Sequence, residues 1–529
     1  MTSAVQSSNS SAFDPDGDLE RQKTEVHEHP DEHPDNRFPE LEMATSKVEQ
    51  PKSLLKEAMF VAVICMAQLM TQAVLGQAIA PLHIIGDSFG VTNPGQLSWY
   101  SAAYSLTVGT FILPAGRLGD IFGHKLLFVA GFLWLALWTM LAGFSVYSDS
   151  IFFDCCRALQ GIGPAFLLPN AIAILGRTYE PGRRKDMVFS LFGATAPGGA
   201  VLGQLFTSLF AVRVWWPWAF WVTAMICCIL AVLGVLAIPH TPTVGRSGDT
   251  FAQLFSRLDG FGAITGVIGL VLINFAWNQG PVVGWTTPYT YILLIVGFIF
   301  IAAFVFIESR ATHPLVPGEA LSADVGFVLA CIATGWSSFG IWMFYTWQMI
   351  EQLRHVSPIL ASAQFSPVAV SGFCAAIATG ILLSHLRTSM VMLLALLAFT
   401  VGSILATTAP VGQTYWAQTF VSLLVMPWGM DMSFPAATIL LSNAMPKRHQ
   451  GLAASLVNTV VNYSISIGLG FAGTIESNLD PDGTQLLKGY RGAYYMGLGL
   501  AGGGLIISIF FVLYHQFGEK KETPDTEGK

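Results

Sequence analysis

From Ala58 onward the chain repeats one pattern, a long run of apolar positions followed by a short polar break. The runs fall at 58–82, 97–115, 126–144, 151–175, 188–211, 218–238, 260–278, 289–307, 325–348, 360–383, 389–408, 415–442, 452–473 and 492–514. Each is long enough to cross about 30 Å of hydrocarbon as a helix, so the pattern predicts fourteen spans. The run at 415–442 is long enough to hold a tilt or a break, which Pro427, Gly429 and Pro435 would favour. Trp99, Tyr100, Trp215, Trp216, Trp218, Trp285 and Tyr289 stand near run edges, as an interfacial aromatic belt requires.

Charge follows the same division. Of 26 Lys and Arg residues only Arg157 lies inside an apolar run, where a charge costs roughly 2.5–3.5 kcal/mol. Loops after even-numbered runs hold twelve of these residues and loops after odd-numbered runs hold four. That bias predicts even loops and both tails in the cytosol. Hydrophobic residues make up 53% of the 529 positions and charged residues 11%, against about 25% charged in soluble domains. The expected class is an all-α polytopic membrane protein. No basic patch with interleaved aromatics points to nucleic acid. The seven cysteines all fall in apolar runs and read as packing thiols.

Residues 1–57 form an acidic, His-rich tail without apolar periodicity, expected to be cytosolic and disordered. His27, His29 and His33 offer metal-ligand chemistry there, but a solvated tail is the favoured reading and no metal site is expected. No cleavable leader is expected, because the N-terminus lacks a basic region, a short apolar core and a cleavage site.

An internal echo divides the rest. EPGRRKDMVFSL (180–191) and MPKRHQGLAASL (445–456) lie 265 residues apart, and LLPNAI (167–172) resembles SFPAAT (433–438). Two related bundles are therefore expected, at 58–238 and 309–515. A linker and two additional helices occupy 239–308, and a cytosolic tail 516–529. Duplicated halves with a site at the midplane are a transporter feature.

The strongest local motif is GRLGDIFGHK at 116–125. Glycines there place Asp120 near the positive end of the third helix, beside Arg117, His124 and Lys125. The motif resembles the loop signature G-x-L-x-D-x-x-G-x-K of the major facilitator superfamily, with Gly116, Leu118, Asp120, Gly123 and Lys125 matching and Ile121 where a base is common. RALQGIGPA (157–165) resembles a second superfamily motif, R-x-x-Q-G-x-G, and the resemblance implies a part for Arg157 in proton transfer. A structural pair of Arg157 with Asp154, one turn earlier, is the alternative. GATAPGGAVLG (193–203) resembles the antiporter-associated motif through Gly193, Pro197, Gly198, Gly199 and Gly203, with Ala196 as a departure. Helix packing alone would favour the same residues.

Together these features resemble the fourteen-helix drug:proton antiporters, and FILPAGRLGD, RALQGIGPAFLLPNA and WGMDMSFPAAT resemble their fungal aminotriazole- and boron-resistance branch. The resemblance implies a major facilitator fold of two six-helix bundles plus two extra helices. It implies export of a drug, toxin, borate or secondary metabolite by proton antiport. A proton-coupled importer or a transporter-like nutrient sensor is the alternative. Many relatives have an acid in the first helix where this chain has Gln72, and Gln cannot titrate.

The proton must then use another group. Asp431 is the most deeply placed acid, with Asp154 next and Arg157 as partner; Glu308, Asp324 and Glu351 lie near run ends. Candidate substrate contacts are the polar side chains within runs, Gln72, Gln77, Asn170, Gln204, Gln348, Asn458 and Asn462. Asn274 and Asn278 share the i, i+4 spacing of Asn458 and Asn462, but sit on an extra helix expected outside the central cavity. No HExxH, P-loop, Cys/His cluster or Ser-nucleophile motif marks an enzyme. The expectation is a plasma-membrane or vacuolar carrier, monomeric, without a cofactor and driven by the proton gradient. Its partners would be a small molecule, protons and lipid.

Overall fold

The computed structural model describes residues 53–180, 182–239, 250–312, 314–316, 318, 322–445 and 450–522. The His-rich stretch lies outside the described residues, as do residues 523–529 of the 516–529 tail. Fourteen long helices follow: α1 Leu54–Gln77, α2 Pro94–Phe122, α3 His124–Phe144, α4 Ser150–Thr178, α5 Arg183–Arg213, α6 Pro217–Ala237 and α7 Gly260–Val283. They continue with α8 Pro288–Glu308, α9 Ala323–Leu353, α10 Pro358–His385, α11 Thr388–Thr408, α12 Gln418–Ala444, α13 Gln450–Leu479 and α14 Leu486–Glu522. Thirteen are long and apolar enough to span a membrane. The remaining one, α2, is as long but is diluted by Ser, Tyr and Thr side chains, most of them buried. No strand occurs among the described residues.

Helices α1–α6 pack on one another, as do α9–α14, and the two sets meet along α2–α13 and α5–α10. The pair α7–α8 stands beside them, with α7 against both α2 and α13. One end of the bundle gathers the start of α1, the end of α4 and the start of α5, where Tyr179 and Arg184 donate to Glu57. We call this the near end. The other gathers the loops after odd-numbered helices and is the far end.

Two local expectations change. Helix α12 runs unbroken through Pro427 and Pro435. A proline removes one N–H and frees the carbonyl four residues earlier, and for Pro435 α10 supplies a donor in its place. Thr379 Oγ1 donates to Asp431 O at 3.2 Å, and Ser371 Oγ donates to Leu424 O at 2.5 Å. The irregularities fall elsewhere. Met349–Leu353 closes α9 as a π-turn, and α10 divides into Pro358–Phe365 and Pro367–His385.

The aromatic belt is also only partial. Trp215, Trp218 and Tyr289 are exposed, whereas Trp99, Tyr100 and Trp216 are buried in packing. Trp216 sits among Phe89, Phe153 and Phe220. The cysteines are all free, but Cys155, Cys228 and Cys374 are exposed on the outer surface and so do not pack inside.

Candidate functional site

Arg157 is fully buried in α4, and its partners differ from those the sequence suggests. Nε donates to Tyr100 O at 2.7 Å, Nη1 to Gln160 Oε1 at 2.6 Å and Nη2 to Val74 O at 3.1 Å. The guanidinium also lies 4.8 Å from the Tyr104 ring centroid. Gln160, one turn on, passes its amide to Thr139 Oγ1 at 2.6 Å. The cation is therefore solvated by carbonyls of α1 and α2 and a π face, substitutes for water that the planar guanidinium fork suits. No ion pair joins it to Asp154, whose Oδ1 is buried without a hydrogen bond.

The signature loop is a near-end knot. Gly123 turns the chain between α2 and α3 at φ 96°, where a side chain would be strained. Asp120 faces Arg177 at 3.4 Å and His124 at 3.5 Å, while Arg117 and Lys125 reach elsewhere. Lys125 Nζ donates to Val235 O at 2.8 Å and Ile238 O at 2.6 Å, closing the end of α6. Arg117 Nη2 donates to Pro314 O at 3.0 Å, in the segment leading to the second half. Asn170 joins this knot as well. Its Oδ1 is 2.7 Å from His124 Nδ1 and its Nδ2 donates to Phe166 O.

The α5 motif divides by face. A Cβ at Gly199 would lie 2.3 Å from Leu69 O, and one at Gly203 2.1 Å from Ala73 O, so these glycines seat α5 against α1. Pro197 points the other way, onto Gly372 of α10. A Cβ on Gly372 would come 2.5 Å from Pro197 Cγ and 2.9 Å from Asp431 Oδ2. The structure thus brings Asp431 and Pro197 together at one glycine, where the two halves touch. Asp431 Oδ2 is buried there without a hydrogen bond. Gly193 and Gly198 meet nothing within 4 Å.

Further along α5 towards the far end, Gln204 is 1% exposed, with its Oε1 unpartnered and its Nε2 3.9 Å from Met343 Sδ of α9. Ser208 follows one turn later and shares a 2.9 Å hydrogen bond with Ser362 of α10. Near the end of α9, Gln348 Oε1 lies 2.5 Å from His83 Nε2, on the short helix Leu82–Ser88 after α1. These contacts close the far half of the seam. Gln77 donates to Thr223 Oγ1 and keeps a free buried Oε1, and Gln72 is half-buried. Asn458 and Asn462 donate to carbonyls of their own helix.

Several residues here carry no motif. Glu476 is 5% exposed and accepts from Tyr345 Oη at 2.7 Å, because α13 continues two turns beyond the predicted end. The helical spacing of Ile475 and Leu479 around it was the available signal. His83, a lone polar residue in the apolar stretch after Pro81, was another. Glu308 accepts from the N–H groups of Leu315 and Val316, whereas Glu351 lies in the π-turn with Oε1 buried and unpartnered.

Comparison with known proteins agrees with this architecture. The Major Facilitator Superfamily profile matches residues 59–382 and 325–529. A low affinity ammonium transporter of Saccharomyces cerevisiae is 69% identical over 460 residues, 87% of this chain and 89% of its own. Efflux pump terJ of Aspergillus terreus is 53% identical, covering 88% of this chain and 90% of its own. The aminotriazole resistance protein of Saccharomyces cerevisiae is 39% identical, covering 87% and 84%. With two packed sets of six membrane-length helices and a pair beside them, the superfamily's loop signature and these relatives, the chain is a membrane transporter belonging to the Major Facilitator Superfamily.

Proposed function

We propose that this transporter exports a small molecule in exchange for protons, with its near end in the cytosol and Asp431 as the proton-carrying acid. One observation carries the reading. Asp431 Oδ2 is buried without a donor beside the Gly372–Pro197 contact between halves. A carboxyl at that junction would feel any change in how α5 meets α10, which is what coupling requires. Arg157 then serves as a fixed positive charge within the first half, since its own donors are already spent on carbonyls and Gln160. Gln204 near the seam and Gln77 against α6, each with an unpartnered acceptor oxygen, would contact a substrate that brings N–H or O–H donors. The carrier needs no cofactor, works as a monomer, and resides in the plasma membrane.

The test is transport into inside-out vesicles holding the purified protein, with a dye as cargo and a pH gradient imposed and then collapsed. The Asp431→Asn variant should lose the response to the gradient while remaining folded. Transport indifferent to the gradient in the unmodified protein would remove the antiport reading.

A second reading has a specific observation behind it, the 69% identity to a protein named as a low affinity ammonium transporter. An ammonium ion carries only donors and would suit the same open acceptors. Uptake of labelled methylammonium by cells expressing the protein, against cells lacking it, separates the two readings by direction.

A further inference from the structure

The additional helix α7 is held along its length by α13. Tyr463 Oη donates to Leu270 O at 3.1 Å, and Asn278 Nδ2 donates to Ser466 O at 3.2 Å. Ser466 Oγ lies 2.8 Å from Asn274 Oδ1, and Trp277 stacks edge-on against Phe471 with centroids 4.5 Å apart. Trp285 Nε1 donates to Thr474 Oγ1 at 3.3 Å. These five contacts climb both helices in step from the middle to the far end. Asn274 and Asn278, on a helix expected outside the central cavity, are packing residues of this contact. Both are buried at the α7–α13 contact.

Against α2 the picture differs. Helices α2 and α13 pack closely at Gly109, where a Cβ would be 2.6 Å from Tyr463 N. Beyond that crossing α7 occupies the space between them towards the far end. It meets α2 through Trp99, whose Nε1 donates to Gln279 Oε1 at 3.1 Å and whose ring lies 5.2 Å from Phe275. It also meets Gly95, which sits against Pro281 and Val282. Ser466 Oγ donates to Ala102 O at 2.9 Å and completes the link between α2 and α13.

We propose that α7 is a working part of the second half, travelling with α13, and that its far end forms a peripheral gate against Trp99 and Gly95 of α2. The asymmetry carries the argument. Parting α7 from α13 would break five polar and aromatic contacts, two of them at buried asparagines whose orphaned groups are costly in hydrocarbon. Parting it, together with α13, from α2 breaks the Trp99 indole hydrogen bond, one ring contact, the glycine contact and the single Ser466–Ala102 hydrogen bond. Rocking of two rigid sets about the Gly109 crossing would therefore open the weaker face.

Spin labels at three exposed far-end loop positions test this without needing a substrate. Ser148 reports the first half, Thr414 the second and Thr286 the end of α7. Distances are measured by pulsed electron resonance in lipid nanodiscs across an acid-to-alkaline series, in the unmodified background and with Asp431→Asn. The expected result is a Ser148–Thr286 distance that lengthens together with Ser148–Thr414, while Thr286–Thr414 stays constant. A Thr286 label that keeps its distance to Ser148 and leaves Thr414 overturns the assignment, as does one that moves against both. A Ser148–Thr414 distance that never changes overturns the gate. Because no transport is measured, failure here is separate from failure of the export reading.

Discussion

The seating of α5 against α1 can be tested glycine by glycine, because the structure ranks the sites before any measurement. A Cβ falls short of an ordinary 3.4 Å contact by 1.3 Å at Gly203 (2.1 Å from Ala73 O) and by 1.1 Å at Gly199 (2.3 Å from Leu69 O). At Gly76 of α1, facing Ala200 O at 2.8 Å, the shortfall is 0.6 Å. At Gly193 and Gly198 nothing lies within 4 Å. The obstructing atoms are backbone carbonyls, so the helices themselves must separate.

Separation is resisted from the other side. Pro197 lies two residues before Gly199, about 200° around the helix, and already presses on Gly372. Moving α5 off α1 therefore drives the proline ring towards Asp431. Overpacking of this kind costs about 1–3 kcal/mol, while alanine in place of helical glycine returns about 1 kcal/mol. Gly203→Ala and Gly199→Ala should accordingly lower the thermal midpoint of the detergent-purified protein, and Gly76→Ala should lower it less. Gly193→Ala and Gly198→Ala should leave it unchanged or raise it slightly. Vesicle transport should fall in the same order. If Gly198→Ala is as damaging as Gly203→Ala, the packing account of this motif fails, and a direct role in coupling takes its place.

Three other outcomes follow from the same coordinates. Arg157→Lys places one ammonium where three nitrogens serve Tyr100 O, Val74 O and Gln160. At least one buried carbonyl is orphaned, at about 1–3 kcal/mol, and an unchanged melting midpoint would contradict this. Thr379→Val removes the donor that replaces the N–H missing at Pro435. It should destabilise by a similar amount, with Thr379→Ser retaining most of the midpoint. His83 lies outside the spanning helices. Burial lowers its pKa from the ordinary 6.5, while the Gln348 hydrogen bond and Asp87 act in the opposite sense. A base whose folded value is lowered releases protons on folding, so stability rises with pH through this window and falls as pH drops below 6.5. His83→Gln should flatten the lower part of the midpoint-against-pH curve, and a curve identical to that of the unmodified protein would exclude His83 as its source.

Much of the fold was legible because hydrocarbon imposes one rule on every span. Fourteen apolar runs became fourteen helices, and even α2, the most polar, was found through its apolar stretch at 97–115. The sequence misled where a neighbour decides the outcome. Pro427 and Pro435 read as a break, yet the helix runs through both, and Thr379 of another helix takes up the carbonyl that Pro435 leaves. Trp99 and Trp216 read as interfacial by position along the chain, yet partners on other helices bury them. Asn170 read as a cavity residue, but its proximity to His124 required knowing that α4 passes behind the loop.

Arg157 and Asp431 mark the difference between those two kinds of inference. Each was singled out because a lone ionisable group in an apolar run demands a reason. The reasons differ. Arg157 is saturated by three acceptors and a ring, so it is a fixed charge that organises α1, α2 and α4. Asp431 keeps an oxygen free at the contact between halves, and that contact includes the proline of the α5 motif. A group whose bonds are complete in one conformation resists change, whereas one left incomplete at a moving interface can respond to it. On this ground the acid of α12, rather than the arginine of α4, is where loss of titration should uncouple transport and leave the fold standing.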